Sequence, residues 1–190
     1  LRFPEAHPAG QRLYLDLSTR WSARAARRLL ADSEATKSDL VRRYGVAPAK
    51  ISVAHPGVDA GLKPLLDRAR LRETRERYGV RGDYLLFIGT LQTRKNLVRL
   101  LQAYAGLGNG APQLLLAGAP SWGYRDLLRQ VETLGLGERV VLPGYVDGAD
   151  KAALLSGARA FVFPSLFEGF GLPVLEAQAC GCPVVCSNTS

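Results

Sequence analysis

The sequence contains no methionine, only two histidines (His7 and His55) and only three cysteines, and no apolar run in it approaches the roughly 20 residues that span a bilayer. Each scarcity excludes something. With neither a long apolar segment nor a visible signal peptide, the chain reads as cytoplasmic. The cysteines, Cys180, Cys182 and Cys186, crowd one short segment without the paired C-x-x-C spacing of a zinc site. They read as small core residues in a reducing compartment. Methionine is missing even at position 1, Leu1 starts in mid-pattern, and Ser190 follows an apolar strand-like run. The expectation is an internal stretch of a longer protein.

What is present is ordinary for a globular domain: 190 residues, 47% apolar and 22% charged. The net charge of +8 is uneven, since residues 1–100 hold 20 Lys+Arg against 10 Asp+Glu and the remainder 5 against 7. A basic first half suits a phosphorylated ligand, anionic lipid headgroups or nucleic acid, or else a solvated arginine-rich helix face. Nucleic acid is disfavoured, because the aromatics are not interleaved with the cations as a stacking platform needs.

Residues 11–30 predict a helix, with Leu13, Leu17, Trp21 and Ala25 at helical spacing and arginines opposite. Ser33 is placed to cap a second helix from Glu34 to about Tyr44, with Gly45 ending it. A short strand, Ile51 to Ala54, leaves through Pro56 and Gly57, and a charged helix is expected from Leu65 to Tyr78. After Gly82 the rhythm changes. Five continuous apolar runs (YLLFIGT, QLLLAGA, RVVLPGYV, AFVFPS, PVVCSN) alternate with four helical segments. Unbroken apolar strands belong to a parallel sheet covered on both faces, so the fold class is α/β, a doubly wound Rossmann-like sheet, incomplete at both ends. The domain reading is a helical remnant of a preceding domain over residues 1–56, a linker and connecting helix over 57–82, and a ligand-binding domain over 83–190.

In such sheets ligands sit at the carboxyl ends of the strands. The first of these ends continues GTLQTRKN. Arg94 and Lys95 precede a helix N-terminus, where cations oppose the helix dipole unless an anion joins them. They read as phosphate ligands or as solvated loop cations. No Walker loop and no G-x-G-x-x-G are present. The stretch SLFEGFGLPVLE places Glu168 and Glu176 around two glycines that let backbone N–H groups approach a ligand. Two carboxylates are too few for a metal, and a carboxylate can accept from two neighbouring hydroxyls. Cations, exposed N–H groups and paired carboxylates together suit a sugar joined to a nucleoside diphosphate.

Three segments also resemble retaining GT-B glycosyltransferases of family 4. FVFPSLFEGFGLPVLEAQACGCPVV resembles their E-x7-E segment, LLFIGTLQTRKNLVRLLQAYAGL the first strand and helix of their donor domain, and ADSEATKSDLVRRYGVAPAKISVAHPGVD the crossing between their two domains. The resemblance implies that Glu176 holds the ribose hydroxyls and that Glu168 contacts the donor sugar near the reacting carbon. It implies that Gly169, Phe170, Gly171 and Leu172 supply the backbone beside the sugar and diphosphate. Lys95, with Arg94 as second ligand, would pair with the diphosphate. Gly89 and Thr90 stand where many relatives read Gly-Arg, and Gly144 and Tyr145 would flank the base. It further implies a nucleotide-sugar donor (GDP-mannose or a UDP-sugar), a glycan or lipid-linked acceptor, peripheral contact with an anionic membrane, and no metal or other cofactor. A non-catalytic nucleotide-sugar binding module is the alternative. The family's catalytic-site histidine is not assigned to His7 or His55.

Overall fold

A run such as Tyr84–Ile88 has no polar face to offer water, so it is stable only with apolar layers on both sides. The computed structural model, which describes residues 9–189, builds that arrangement. The chain divides into two units: residues 9–57 with Phe167–Gly171, and Val58–Leu166 with Leu172–Thr189.

The first unit holds α1 (Ala9–Ala25), β1 (Leu29–Ala31), α2 (Glu34–Tyr44) and β2 (Ile51–Val53). β1 and β2 pair in parallel, Leu29 against Ile51 and Ala31 against Val53. This corrects the expected helix over residues 11–30, which stops at Ala25. Lys50 Nζ accounts for the stop by donating to the carbonyls of Ala23 (2.8 Å) and Arg24 (3.0 Å). These are terminal acceptors that a cation suits. Beyond them, pairing with β2 outweighs the helical propensity of the Leu-rich segment. Leu13, Leu17 and Trp21 lie on α1 as their spacing predicts; they are exposed, and Ala23 is the buried residue of that helix. α2 follows expectation. Thr36 N donates to Ser33 Oγ at 3.0 Å, and Gly45 adopts the left-handed conformation that closes the helix.

In the second unit, α3 (Arg68–Arg77) starts later than predicted. Its start is fixed by Asp67 Oδ1, which accepts from Ala69 N and Arg70 N. Then β3 (Tyr84–Ile88), α4 (Leu97–Ala105), β4 (Gln113–Ala117), α5 (Tyr124–Thr133), β5 (Val140–Gly144), α6 (Gly148–Gly157), β6 (Ala160–Phe163), α7 (Leu172–Ala179) and β7 (Val184–Cys186) alternate as the pattern requires. The sheet is parallel throughout, in the order β5-β4-β3-β6-β7. The chain starts in the middle, builds outward through β4 and β5, and returns to the other side of β3 with β6. The order therefore reverses between β3 and β6, where open α/β sheets leave a crevice beyond the strand ends. The core is centred on Leu86, Phe87, Leu101, Leu114–Leu116, Leu154 and Phe161. Cys180 and Cys182 are buried in it as expected, but Cys186 is exposed at the end of β7, which among the described residues pairs with a strand on one side only.

Candidate functional site

Two loops meet at the switch point of the second unit. After β3 the chain passes Gly89, Thr90 and Leu91 and makes a 3-10 turn, Thr93–Lys95, before Asn96 opens α4. After β6 it passes Pro164, Ser165 and Leu166. Asn96 Nδ2 donates to Pro164 O at 3.2 Å, and Leu166 N donates to Arg94 O at 2.9 Å. On the other side Thr93 N donates to Trp122 O at 3.1 Å. The cationic turn is thus braced by both neighbouring strand-end loops. Asn96 adopts φ 58°, the left-handed region that asparagine tolerates better than most residues.

Lys95 is 7% exposed, and its Nζ lies 4.5 Å from the centroid of the Phe163 ring. Phe163 stacks on Phe87 and Phe161, at 5.9 and 5.6 Å between centroids. A cation over an aromatic face is attracted by the ring, at a gain of about 0.5–2 kcal/mol. An anion reaching that ammonium would meet a charge poorly screened by solvent.

The strand ends allow very close backbone approach. Gly118 N donates to Gly144 O at 2.7 Å. A Cβ on Gly118, at φ +148°, would lie 1.9 Å from Gly89 O. Gly89, Gly118 and Gly144 therefore follow one another across β3, β4 and β5. Beside them Tyr145 is largely exposed.

Glu176 lies in the middle of α7, its side chain 17% exposed, with Oε2 at 2.5 Å from Lys151 Nζ of α6. The sequence did not single out Lys151. Only the register of α6 against α7, invisible to local pattern, makes it a partner. Burial, and secondarily the Glu176 charge, push the Cys180 thiol pKa up. Leu172 begins α7 and Pro173 follows within its first turn, as its fixed φ suits.

Within the first unit, the segment bearing Glu168, Gly169, Phe170 and Gly171 packs on residues of α2 and its approach. The Phe170 ring stacks on His55 at 5.6 Å. Ser33 Oγ, already the α2 cap, donates a short hydrogen bond to Gly169 O. A Cβ on Gly169 would stand 3.0 Å from Asp32 Oδ2 and 3.2 Å from Thr36 Oγ1, so a bare backbone is what fits. His55 Nδ1 donates to Asp32 O at 3.0 Å. His7 lies outside the described residues. Among the described residues, no cluster of three or more His, Cys, Asp or Glu could hold a metal ion, and no helix is long and apolar enough to cross a membrane.

Comparison with known proteins gives this arrangement its family. Residues 72–190 match the model of the glycosyl transferases group 1 family, and residues 2–62 match that of glycosyltransferase family 4. The chain belongs to the glycosyl transferases group 1 family. It is 35% identical to O-antigen chain mannosyltransferase B of Escherichia coli, over 98% of this chain and 50% of that protein. It is 38% identical to D-inositol 3-phosphate glycosyltransferase 2 of Catenulispora acidiphila, over 86% of this chain and 40% of that protein. The chain thus spans about half the length, or less, of these curated relatives. Among solved structures, Anabaena HepE in complex with UDP and glucose superposes with a TM-score of 0.81 at 24% identity, covering 97% of this chain and 50% of HepE. WaaG, a glycosyltransferase involved in lipopolysaccharide biosynthesis, gives 0.72 at 21% identity, covering 86% of this chain and 44% of WaaG. These likenesses establish the GT-B Rossmann-like fold.

Proposed function

We propose that the chain carries the donor-binding part of a glycosyltransferase that moves a sugar from a nucleoside diphosphate sugar to a glycan or lipid-linked acceptor, with the anomeric configuration retained. The observation that carries this reading is the braced turn Thr93–Lys95 at the switch point, with the Lys95 ammonium desolvated over Phe163. When a glycosyl bond breaks, negative charge builds on the departing diphosphate. Fixed cations and helix N–H groups aimed at that charge lower the barrier most where water is scarce. Arg94, Lys95 and the N-terminus of α4 supply those groups, so the reaction needs no metal to neutralise the leaving group. Glu176 accepts from the ribose and Glu168 from the donor sugar. Gly89, Thr90, Gly144, Tyr145, Gly169, Phe170, Gly171 and Leu172 line the nucleotide and sugar with backbone.

The similarity to a mannosyltransferase favours GDP-mannose as donor, and HepE, which was crystallised with UDP and glucose, keeps a UDP-sugar in view. Peripheral binding to an anionic membrane is part of the same reading. Tyr14, Leu17 and Trp21 are exposed on α1, in a segment that also carries Arg12, Arg20 and Arg24. Amphipathic segments of that composition favour charged bilayers.

The test is calorimetry with GDP, UDP and their nucleosides on wild type, Lys95→Ala and Arg94→Ala. Losing a charge-assisted contact to the diphosphate should cost about 1.5–3 kcal/mol for the diphosphate and far less for the nucleoside. Equal losses for both would remove the phosphate assignment. A radiolabelled transfer assay with GDP-mannose and UDP-glucose then distinguishes a transferase from a binding module.

A further inference from the structure

The Lys151–Glu176 pair has features that an ordinary surface ion pair lacks. The separation is 2.5 Å, and the two side chains are only 25% and 17% exposed. Exposed pairs between long, flexible side chains are loosely defined; this one is largely enclosed between α6 and α7. Its helix is also anchored. The residue before Lys151, Asp150, is held by Arg70 and Arg77 at 2.9 Å each and by the Tyr78 hydroxyl at 3.0 Å. Lys151 is thereby presented from a fixed helix. It engages Oε2 of Glu176, while a carboxylate has roughly four lone-pair sites and an ammonium three donors. An acceptor and a donor held side by side match a hydroxyl group, which both gives and takes a hydrogen bond. They do not match a C–H at the same position.

We propose that Lys151 is a positioning and specificity-determining residue for nucleotide binding. It fixes the Glu176 carboxylate by one oxygen, and the pair reads a ribose hydroxyl as a unit, favouring ribonucleotides over deoxyribonucleotides. This rests on the assignment of Glu176 to the ribose given above. The chemistry follows from preorganisation. A carboxylate already held in one rotamer by a cation loses less freedom on binding than one that must be ordered by the ligand. Removing the lysine would also leave a mostly covered charge without its partner.

The experiment is calorimetry on the protein with UDP, GDP and their 2′- and 3′-deoxy analogues, for wild type, Lys151→Met, Lys151→Gln, Lys151→Arg and Glu176→Gln, with melting temperatures measured in parallel. Lys151→Met and Lys151→Gln should weaken ribonucleotide binding about tenfold. Binding of one deoxy analogue should hardly change, so that the ribo/deoxy ratio collapses, and Lys151→Arg should recover most of it. A purely structural lysine would lower the melting temperature and weaken all nucleotides by one common factor, which overturns the proposal. An unchanged ratio in both lysine variants, with ribonucleotide affinity lost in Glu176→Gln, overturns it while leaving the role of Glu176 standing. No loss in Glu176→Gln, or no nucleotide binding by wild type, removes the ribose assignment and the proposal with it.

Discussion

Asp150→Asn is the substitution whose cost the structure lets one work through. The carboxylate side chain is 4% exposed and receives three hydrogen bonds: Arg70 Nη2 on Oδ1, and Arg77 Nη1 and Tyr78 Oη on Oδ2. Asparagine keeps the shape but turns one oxygen into an NH2 group that faces a donor. Breaking a buried pair by removing one partner typically costs about 3–5 kcal/mol. Here both guanidiniums remain partly wet, with side chains 37% and 47% exposed, so they regain water when the charge goes. The expected loss is therefore lower, about 2–3 kcal/mol, with most of it arising from the donor now buried against donors. In a chain of this size that corresponds to roughly 4–12 °C in melting temperature. Differential scanning calorimetry at neutral pH and low salt gives the number. Asp150→Ala should fall in the same range, because it removes the acceptor and adds a void. A shift below about 1 °C for Asp150→Asn would mean that the cluster breaks even against its desolvation, and that α6 is held on α3 by apolar packing alone.

Gly118→Ala should abolish soluble, cooperatively folding protein or lower its melting temperature by more than 10 °C, roughly 3 kcal/mol or more, since its Cβ would fall 1.9 Å from Gly89 O; a wild-type melt would show that the β3 and β4 ends can separate freely. The buried Tyr84 phenol, whose hydroxyl donates to Leu154 O at 2.7 Å, has its pKa raised by burial. The folded state therefore keeps a proton that the unfolded chain releases above about pH 10, and stability falls as pH rises through that point, by at most about 1.4 kcal/mol per pH unit. Urea melts of wild type and Tyr84→Phe between pH 9 and 11 should converge as pH rises, and parallel curves would contradict the burial. Burial likewise pushes the Cys180 and Cys182 thiols up while Cys186 is exposed, so a thiol reagent near neutral pH should label one cysteine quickly and all three only on unfolding; rapid labelling of two or more in the native protein would place the α7–β7 segment wrongly.

What could be read from the sequence depended on the range of the signal. The α2 cap at Ser33, its stop at Gly45 and the five apolar runs of the sheet are short-range features, and the structure has them where they were expected. Leu29–Ala31 was misread because its state is decided by Ile51–Val53, more than twenty residues away. Leu13, Leu17 and Trp21 follow a helical rhythm, but rhythm alone does not say what, if anything, covers that face. At the site, Lys95 could be picked out by residue type and position. Its burial over Phe163 could not, because β6 is placed beside β3 only by the crossover. Lys151 was passed over for the same reason, since it matters through its ion pair between α6 and α7, and the close approach at Gly118 likewise depends on a carbonyl beyond the neighbouring strand.

Adjacent residues of α6 show how a fold with few polar core groups can still set a polar site. Asp150 and Lys151 are consecutive, and on a helix consecutive side chains diverge by about 100°. One is committed to α3, where it is surrounded by donors. The other is committed to α7, where it meets a single carboxylate. Neither could take the other's part, since an ammonium between Arg70 and Arg77 would be repelled and a carboxylate beside Glu176 would raise the cost of both charges. The order Asp-Lys thus fixes which way α6 faces, and with it which oxygen of Glu176 is engaged. Ser33 is a parallel case in the first unit. A hydroxyl accepts and donates at once, so the one that caps α2 can also hold Gly169 O, and any residue that caps without donating would leave that carbonyl unheld. In both places polar groups at one point of the chain fix a local element and, by the same geometry, orient a segment distant in sequence that bears a candidate ligand residue.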